Sequence, residues 1–210
     1  MSESHATETF RSAETVGSAR RLWTRHEFER AGELGVFGPE ERLELIAGEV
    51  IRKVAPQKTP HATTIRLIEE WLRGLAIADI DVRVQLPVAL DDHSEPEPDI
   101  TVATGGPRDY EREHPSTALL LVEVADTTLA FDRTVKAGLY AKAGVQEYWI
   151  VNLRDRVLEI HRSPAPMAEQ PFGHHFLSVT RHTETESVST LLAPAVTVRV
   201  RDLLPRAATA

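Results

Sequence analysis

Apolar positions along this chain follow two spacings, and the switches between them mark its elements. Thr24 stands three residues before Glu27, the spacing of a helix-capping box, and the short helix it opens closes at Gly32 or Gly35. "RLELIAGEVIRKV" reads as two short strands joined at Ala47-Gly48. In "TPHATTIRLIEEWLRGLAIA", Ile65, Ile68, Trp71, Leu72 and Leu75 recur at helical spacing, with Thr59 as cap and Pro60 as the first helical residue. The spacing then falls to two. Val82, Val84, Leu86, Val88 and Leu90 alternate with other residues, the pattern of a strand with one buried face.

Strands dominate from there. "DITVA" is followed by "TALLLVEVAD", whose unbroken apolar run from Ala118 to Val122 fits a central strand covered on both faces. "TTLAFDRTVKAGLYAKAG" is helical, with Thr127 or Thr128 as cap and Gly144 just past its end. "VQEYWIVNL" and "RVLEIHRS" form a hairpin around Arg154-Asp155, "SPAPMAEQPFG" reads as a proline-rich loop, and "HHFLSVTRH" and "VTVRVRDLL" supply late strands. The expected architecture is α/β (α+β): a mixed β-sheet flanked by helices, with additional antiparallel strands. Residues 1–20 are polar without a period and are expected to be a disordered tail. The domain is expected over 21–206, with 207–210 as a C-terminal tail.

Composition narrows the partners. At 210 residues, 41% hydrophobic and 27% charged, the chain suits one soluble domain and holds no apolar run of membrane-spanning length. The absence of cysteine excludes disulfides, thiolate metal ligands and a cysteine nucleophile. No apolar signal-peptide core follows Met1, so a cytoplasmic location is expected. A formal charge of −8 argues against a uniformly basic nucleic-acid surface but leaves room for a local basic groove.

The stretch "EPEPDI" (residues 95–100) crowds three carboxylates and two prolines between strands. The prolines hold it extended, so Asp99 is fixed at a strand mouth. Glu123 ends an apolar strand, where a carboxylate without a partner is costly. Two carboxylates on adjacent strand ends, with the Val124 backbone carbonyl between them, offer the hard oxygen ligands that Mg²⁺ or Mn²⁺ prefers. Lys136, on the following helix, is placed to return its ammonium there, to orient or deprotonate water and to offset charge on a phosphoryl oxygen. Taken singly, Asp99 reads equally as a turn residue, Glu123 as a partner of a structural arginine and Lys136 as a solvated lysine. Their convergence is what points to chemistry.

The segments "EPEPDITVA", "LLLVEVADTT", "FDRTVKAGLYAKAGVQEYWIVNL" and "VLEIHR", in that order, resemble the bacterial putative restriction endonuclease family of the PD-(D/E)XK nuclease superfamily. Upstream, "RLELIAGEVIRKVAPQKTPHA" and "VQLPVAL" extend the likeness to roughly residues 22–205. The resemblance implies a restriction-endonuclease-like core, with Asp99 and Glu123 holding a divalent metal and Glu49 as an upstream acid. The superfamily's usual lysine position is occupied by Ala125, and the resemblance implies a relocated lysine that matches Lys136. It further implies Mg²⁺-dependent cleavage of DNA by a homodimer. Gln85, in the polar phase of its strand, and His61, at a helix start, face either the same cleft or solvent. The histidines show no zinc-site spacing, and Trp71 and Trp149 read as core. A non-catalytic nuclease-fold protein that binds a partner or nucleic acid is the competing reading.

Overall fold

The computed structural model describes residues 20–53 and 58–207. Of the expected N-terminal tail only Arg20 falls within the described residues, and of the C-terminal tail only Ala207. Helix α1 (Arg25–Glu33) carries the expected capping box: the Glu27 N–H donates to the Thr24 hydroxyl at 3.2 Å and the Thr24 N–H to the Glu27 carboxylate at 3.0 Å. Strands β1 (Leu43–Ile46) and β2 (Glu49–Arg52) pair antiparallel through a turn in which Ala47 and Gly48 have φ of 49° and 80°. A Cβ on Gly48 would also lie 2.5 Å from Cβ of Leu22, so glycine is required there by space as well as by φ.

Helix α2 spans Thr59–Gly74 with Lys58, rather than Thr59, at the N-cap and Pro60 in its first turn. Strand β3 (Ile80–Val84) is shorter than the alternation implies. Gln85 adopts φ of 51° and turns the chain away, so Leu86 is exposed and Val88 is buried outside any strand. The alternation outlasts the strand because it reflects burial rather than backbone pairing. Strands β4 (Ile100–Thr104) and β5 (Leu120–Ala125) follow, the latter buried along its whole length. The next helical segment is continuous but not uniform: α3 (Leu129–Phe131), a π-helical turn (Asp132–Lys136) and α4 (Ala137–Lys142).

Strands β6 (Glu147–Asn152) and β7 (Val157–Pro166) form the expected hairpin, and β8 (His174–Thr183) closes the sheet. The stretch read as a proline-rich loop is strand as far as Pro166. Beyond Arg162, β7 has passed the end of β6 and pairs with β8 alone, so prolines can be accommodated on its unpaired side. The last expected strand shrinks to β10 (Val198–Arg199), paired with β9 (Ser187–Val188), before a 3₁₀ turn over Val200–Leu203 buries Val200 and Leu203.

The six-stranded sheet runs β3-β4-β5-β6-β7-β8, antiparallel throughout except for the parallel pair β5-β6. A parallel pair needs a crossover, which the helical segment from Leu129 to Lys142 supplies. Both faces of β5 are therefore covered, as its apolar run predicts. Leu120, Val122 and Val124 pack with Ile65, Ile68 and Leu72 of α2, while Leu121 and Ala125 pack with Val135, Leu139 and Tyr140. Glu123 lies in phase with this second face. Among the described residues no helix is long and apolar enough to cross a membrane.

Candidate active site

The register of the sheet sets the site. Ile100 of β4 pairs with Val122 of β5, so Asp99, one residue earlier, is level with Glu123, and cross-strand neighbours share a face. The preceding extended stretch is anchored on both sides: Glu95 bridges Leu45 of β1, and the Pro96 carbonyl accepts the Val88 N–H at 2.9 Å. Asp99 is 6% and Glu123 5% exposed, at the floor of a cleft of about 300 Å³. The β1–β2 hairpin, the start of α2 and the segment Thr127–Phe131 wall it.

Lys136 enters this cleft from the π-helical turn. The Ala137 N–H donates to the Asp132 carbonyl five residues back, widening one turn just where the ammonium is directed inward. Val135 and Leu139 pack into the core, and Lys136 is buried with them at 4% exposure, so the solvated-lysine alternative does not hold. Its Nζ lies 2.7 Å from Glu123 Oε1 and 3.3 Å from Glu44 Oε1. Lys142, the internal contrast, is half-exposed and 3.7 Å from Asp91.

Each floor carboxylate has a different set of partners. Asp99 Oδ2 accepts the Val124 N–H at 2.8 Å and lies 3.2 Å from His61 Nε2, while Oδ1 accepts Gln85 Nε2 at 3.3 Å. Burial raises its pKa, but the His61 hydrogen bond and charge, the Val124 N–H and the Lys53 charge outweigh burial and leave it below the ordinary value. Glu123 accepts the Tyr140 hydroxyl at 2.9 Å besides Lys136. Burial, reinforced by the Asp99 and Asp132 carboxylates, pushes it up to about 8 against the pull of Lys136 and Lys53. Asp132, held by the Thr128 hydroxyl at 2.6 Å, is pushed up to about 6 by burial and by Asp99 and Glu44, although Lys136 and Thr128 oppose the rise.

Glu44 is the acid that sequence reasoning missed. It is fully buried, 2.5 Å from Lys53 Nζ, and it accepts the Glu97 N–H at 3.1 Å. Burial raises its pKa, yet Lys136 and Lys53 pull it below the ordinary value. Lys136 itself is disfavoured as a cation by burial, but Glu123, Glu44 and Asp132 hold it well above a normal lysine pKa. The structure thus gathers Glu44, Glu123 and Asp132 around one buried ammonium, with Asp99 close enough to Glu123 and Asp132 to raise both and Lys53 at the side.

Of the residues singled out from sequence, Asp99, Glu123, Val124 and Lys136 are brought together. Glu49 is not. It shares a face with Glu44 but sits at the turn end of the hairpin, paired with Ile46, outside the cleft and 2.8 Å from Arg20. His61 lines the cleft and reaches Asp99, whereas Gln85 reaches Asp99 Oδ1 but is not among the residues that line the cleft. His61 Nδ1 is buried without a hydrogen-bond partner among the described residues. Among those residues, too, no group of three or more His, Asp or Glu side chains is disposed to hold a metal ion by itself. Trp71 and Trp149 stack on each other in the α2 core.

A family profile described as Uma2, putative restriction endonuclease, matches residues 25–198. Among solved structures, the chain is similar to the crystal structure of a putative nuclease belonging to DUF820 from Anabaena variabilis. The identity is 18% and the TM-score 0.61, covering 86% of this chain and 97% of that one. At that identity the likeness speaks for the fold alone. No curated protein matches.

Proposed function

The chain belongs to the Uma2 family of putative restriction endonucleases, and we propose that it is a divalent-metal-dependent nuclease that hydrolyses DNA phosphodiester bonds in this cleft. The observation that carries the reading is the position of Lys136 Nζ between Glu123 and Glu44, in a cleft that Asp99 also lines, so that carboxylates outnumber buried cations. Such a surplus of hard oxygen donors suits Mg²⁺ or Mn²⁺. Mg²⁺ in particular is commonly held by one or two carboxylates, with water and substrate phosphate completing its shell, so a larger protein cage is not needed.

Asp99 and Glu123 are the two carboxylates in that role. Val124 is the third donor: the N–H and C=O of a strand residue point to the same side, and its N–H points at Asp99. A metal bound there supplies Lewis-acid polarisation of a phosphoryl oxygen and a more acidic water. The chain's own residues do the rest. His61, Gln85 and the Val124 N–H fix the Asp99 carboxylate, and Tyr140 fixes Glu123. In the metal-free cleft Glu123, Glu44 and Asp132 hold the Lys136 ammonium charged, and Lys136 orients or deprotonates the attacking water. It donates hydrogen bonds to the attacking water and to the charge that develops on the phosphoryl oxygen. Glu44 positions that ammonium and takes the place expected for Glu49.

The test is cleavage of plasmid and oligonucleotide DNA with Mg²⁺ or Mn²⁺ by the wild type, Asp99→Ala and Lys136→Ala. Metal-dependent cleavage confined to the wild type is the expected result. A folded wild type that cuts nothing with either metal overturns the reading in favour of a non-catalytic binding protein.

A further inference from the structure

We infer that His175 is a positioning residue for Lys136: with Glu159 it holds the π-helical turn in the widened form that carries the ammonium to the cleft. The inference rests on the nuclease reading above and assigns, for that reaction, two residues on β7 and β8 that lie outside the cleft.

A π turn holds about one residue more than an α turn, and the carbonyls it leaves out of the usual ladder need partners from elsewhere. In an α-helix the Ala137 N–H would go to the Arg133 carbonyl four residues back. Here it goes to Asp132 instead, so the Arg133 carbonyl loses its usual donor. His175 replaces that donor. Its Nε2 lies 3.1 Å from the Arg133 carbonyl oxygen, and because a carbonyl only accepts, this nitrogen carries the proton. From β6 the buried Tyr148 hydroxyl donates to the Asp132 carbonyl at 3.2 Å. Glu159 fixes Arg133 by its side chain: Oε2 accepts Nε at 2.9 Å, and Oε1 accepts Nη2. Three strands thus hold the first two residues of the turn.

The helix that follows is seated just as closely. A Cβ on Gly138 would lie 2.5 Å from the Pro171 carbonyl oxygen and 3.3 Å from that of His174, so glycine lets α4 rest on the backbone leading into β8 and brings His175 to the turn. Two residues on, Tyr140 is tied to Glu123. With α4 held at both points, a turn that reverted to α spacing would move its residues around the axis by up to one position, about 100°, and take Lys136 Nζ away from Glu123 and Glu44. Tyr148, Glu159 and His175 do not line the cleft, so their effect on the reaction passes through the turn. Arg181 lines an open pocket together with Glu159 and His175 but pairs with Asp155, and serves as the control.

The test compares plasmid cleavage with Mg²⁺ by the folded variants His175→Phe, His175→Gln, Glu159→Ala and Arg181→Ala, and follows the Lys136 ammonium of the metal-free proteins by nitrogen-15 NMR, its signal assigned by its loss in Lys136→Ala. His175→Phe keeps a ring of similar bulk without a donor, and His175→Ala takes its place should that ring not be accommodated. Either should lower kcat about tenfold or more, with KM and Mg²⁺ affinity within about twofold of wild type, and should displace the ammonium signal. Glu159→Ala should act in the same direction. His175→Gln, whose amide keeps a donor, should recover most of the rate and the wild-type signal, and Arg181→Ala should match wild type in both. A folded His175→Phe with wild-type kcat or an unmoved ammonium signal, or a His175→Gln as slow as His175→Phe, overturns the proposal. A wild type that cuts nothing, with an ammonium signal displaced in His175→Phe and kept in His175→Gln, sinks the nuclease reading alone, whereas equal cleavage by His175→Phe and wild type sinks this proposal alone.

Discussion

Glu123 and Glu147 stand on neighbouring parallel strands, each within a fully buried run, and the fold treats their carboxylates in opposite ways. Glu147 has a guanidinium of its own: Oε1 accepts Arg162 Nε at 2.9 Å, and Oε2 accepts the Leu191 N–H at 2.8 Å and the Thr190 hydroxyl at 2.5 Å. Arg162 has a donor left for the Ser189 carbonyl at 2.6 Å. Charge and hydrogen-bonding capacity are matched locally. Glu123 instead shares Lys136 with Glu44 and lies close enough to Asp99 and Asp132 for both to raise its pKa. A buried carboxylate with matched partners ties distant segments together. One with too few cations is a place where an incoming cation is stabilised.

Breaking the matched pair should have a large effect on stability and the least on chemistry. Glu147→Ala strands the Thr190–Leu191 donors and a partly exposed Arg162, and leaving such buried donors unpaired costs about 1–3 kcal/mol. Urea denaturation should show that loss, while cleavage per folded molecule stays near wild type. Lys136→Ala also strands buried carboxylates and should cost stability too, but it should differ from Glu147→Ala in its effect on chemistry. Losing one donor aimed at developing charge lowers turnover by about 10²–10³-fold, with Mg²⁺ affinity from calorimetry nearly kept. If instead Glu147→Ala abolishes cleavage in folded protein, or Lys136→Ala leaves it intact, the division between the two carboxylates is wrong.

Titration sharpens the contrast next. Folding raises the pKa of Glu123 from 4.5 to about 8, burial being the chief cause, so the folded state binds a proton that the unfolded state releases. Its stabilising contribution is full below about pH 4.5 and is lost as pH rises through about 8, and Asp132, raised to about 6, adds to the lower part of that window. Asp99 and Glu44 are lowered, so their contributions run the other way and are lost as pH falls. The diagnostic is therefore the difference between variants. In the metal-free protein, Glu123→Gln should lose less stability than wild type between about pH 4.5 and 8.5. Parallel profiles for wild type and Glu123→Gln in thermal melts would show that the Glu123 carboxylate is ionised throughout.

The two glutamates were not equally legible in the sequence. Glu123 announces itself because it interrupts an apolar run, and the mixed sheet, the capping box and the hairpin around Arg154 follow from local periodicity that the structure retains. Lys136 could be placed on the following helix and turned toward the site from pattern, but the π-helical turn that carries it is something no spacing reveals. Glu44 was illegible for a different reason. In "RLELIAGEV" both Glu44 and Glu49 fall on polar positions of a hairpin, and what distinguishes them is a lysine 92 residues away that covers one and not the other. Gln85 defeats the alternation in the same way, since its left-handed backbone leaves the side-chain pattern intact while ending the strand.

That distinction between Glu44 and Glu49 supplies the smallest expected effects. Glu49 is joined to Arg20 at 2.8 Å near the surface, and pairs of that kind contribute about 0–1 kcal/mol. Lys142 is half-exposed and only loosely paired with Asp91. Glu49→Ala and Lys142→Ala should each leave cleavage within about twofold of wild type and shift stability by less than about 1 kcal/mol. Glu44→Gln removes the charge that holds Lys136 from its second side and should lower cleavage about tenfold or more, as losing a partner just outside the reacting groups commonly does. Steady-state cleavage rates for the three variants decide the matter. If Glu49→Ala falls as far as Glu44→Gln, the acid at the turn end reaches the cleft in the working enzyme, and the shared-lysine account of Glu44 gives way to the assignment made from sequence.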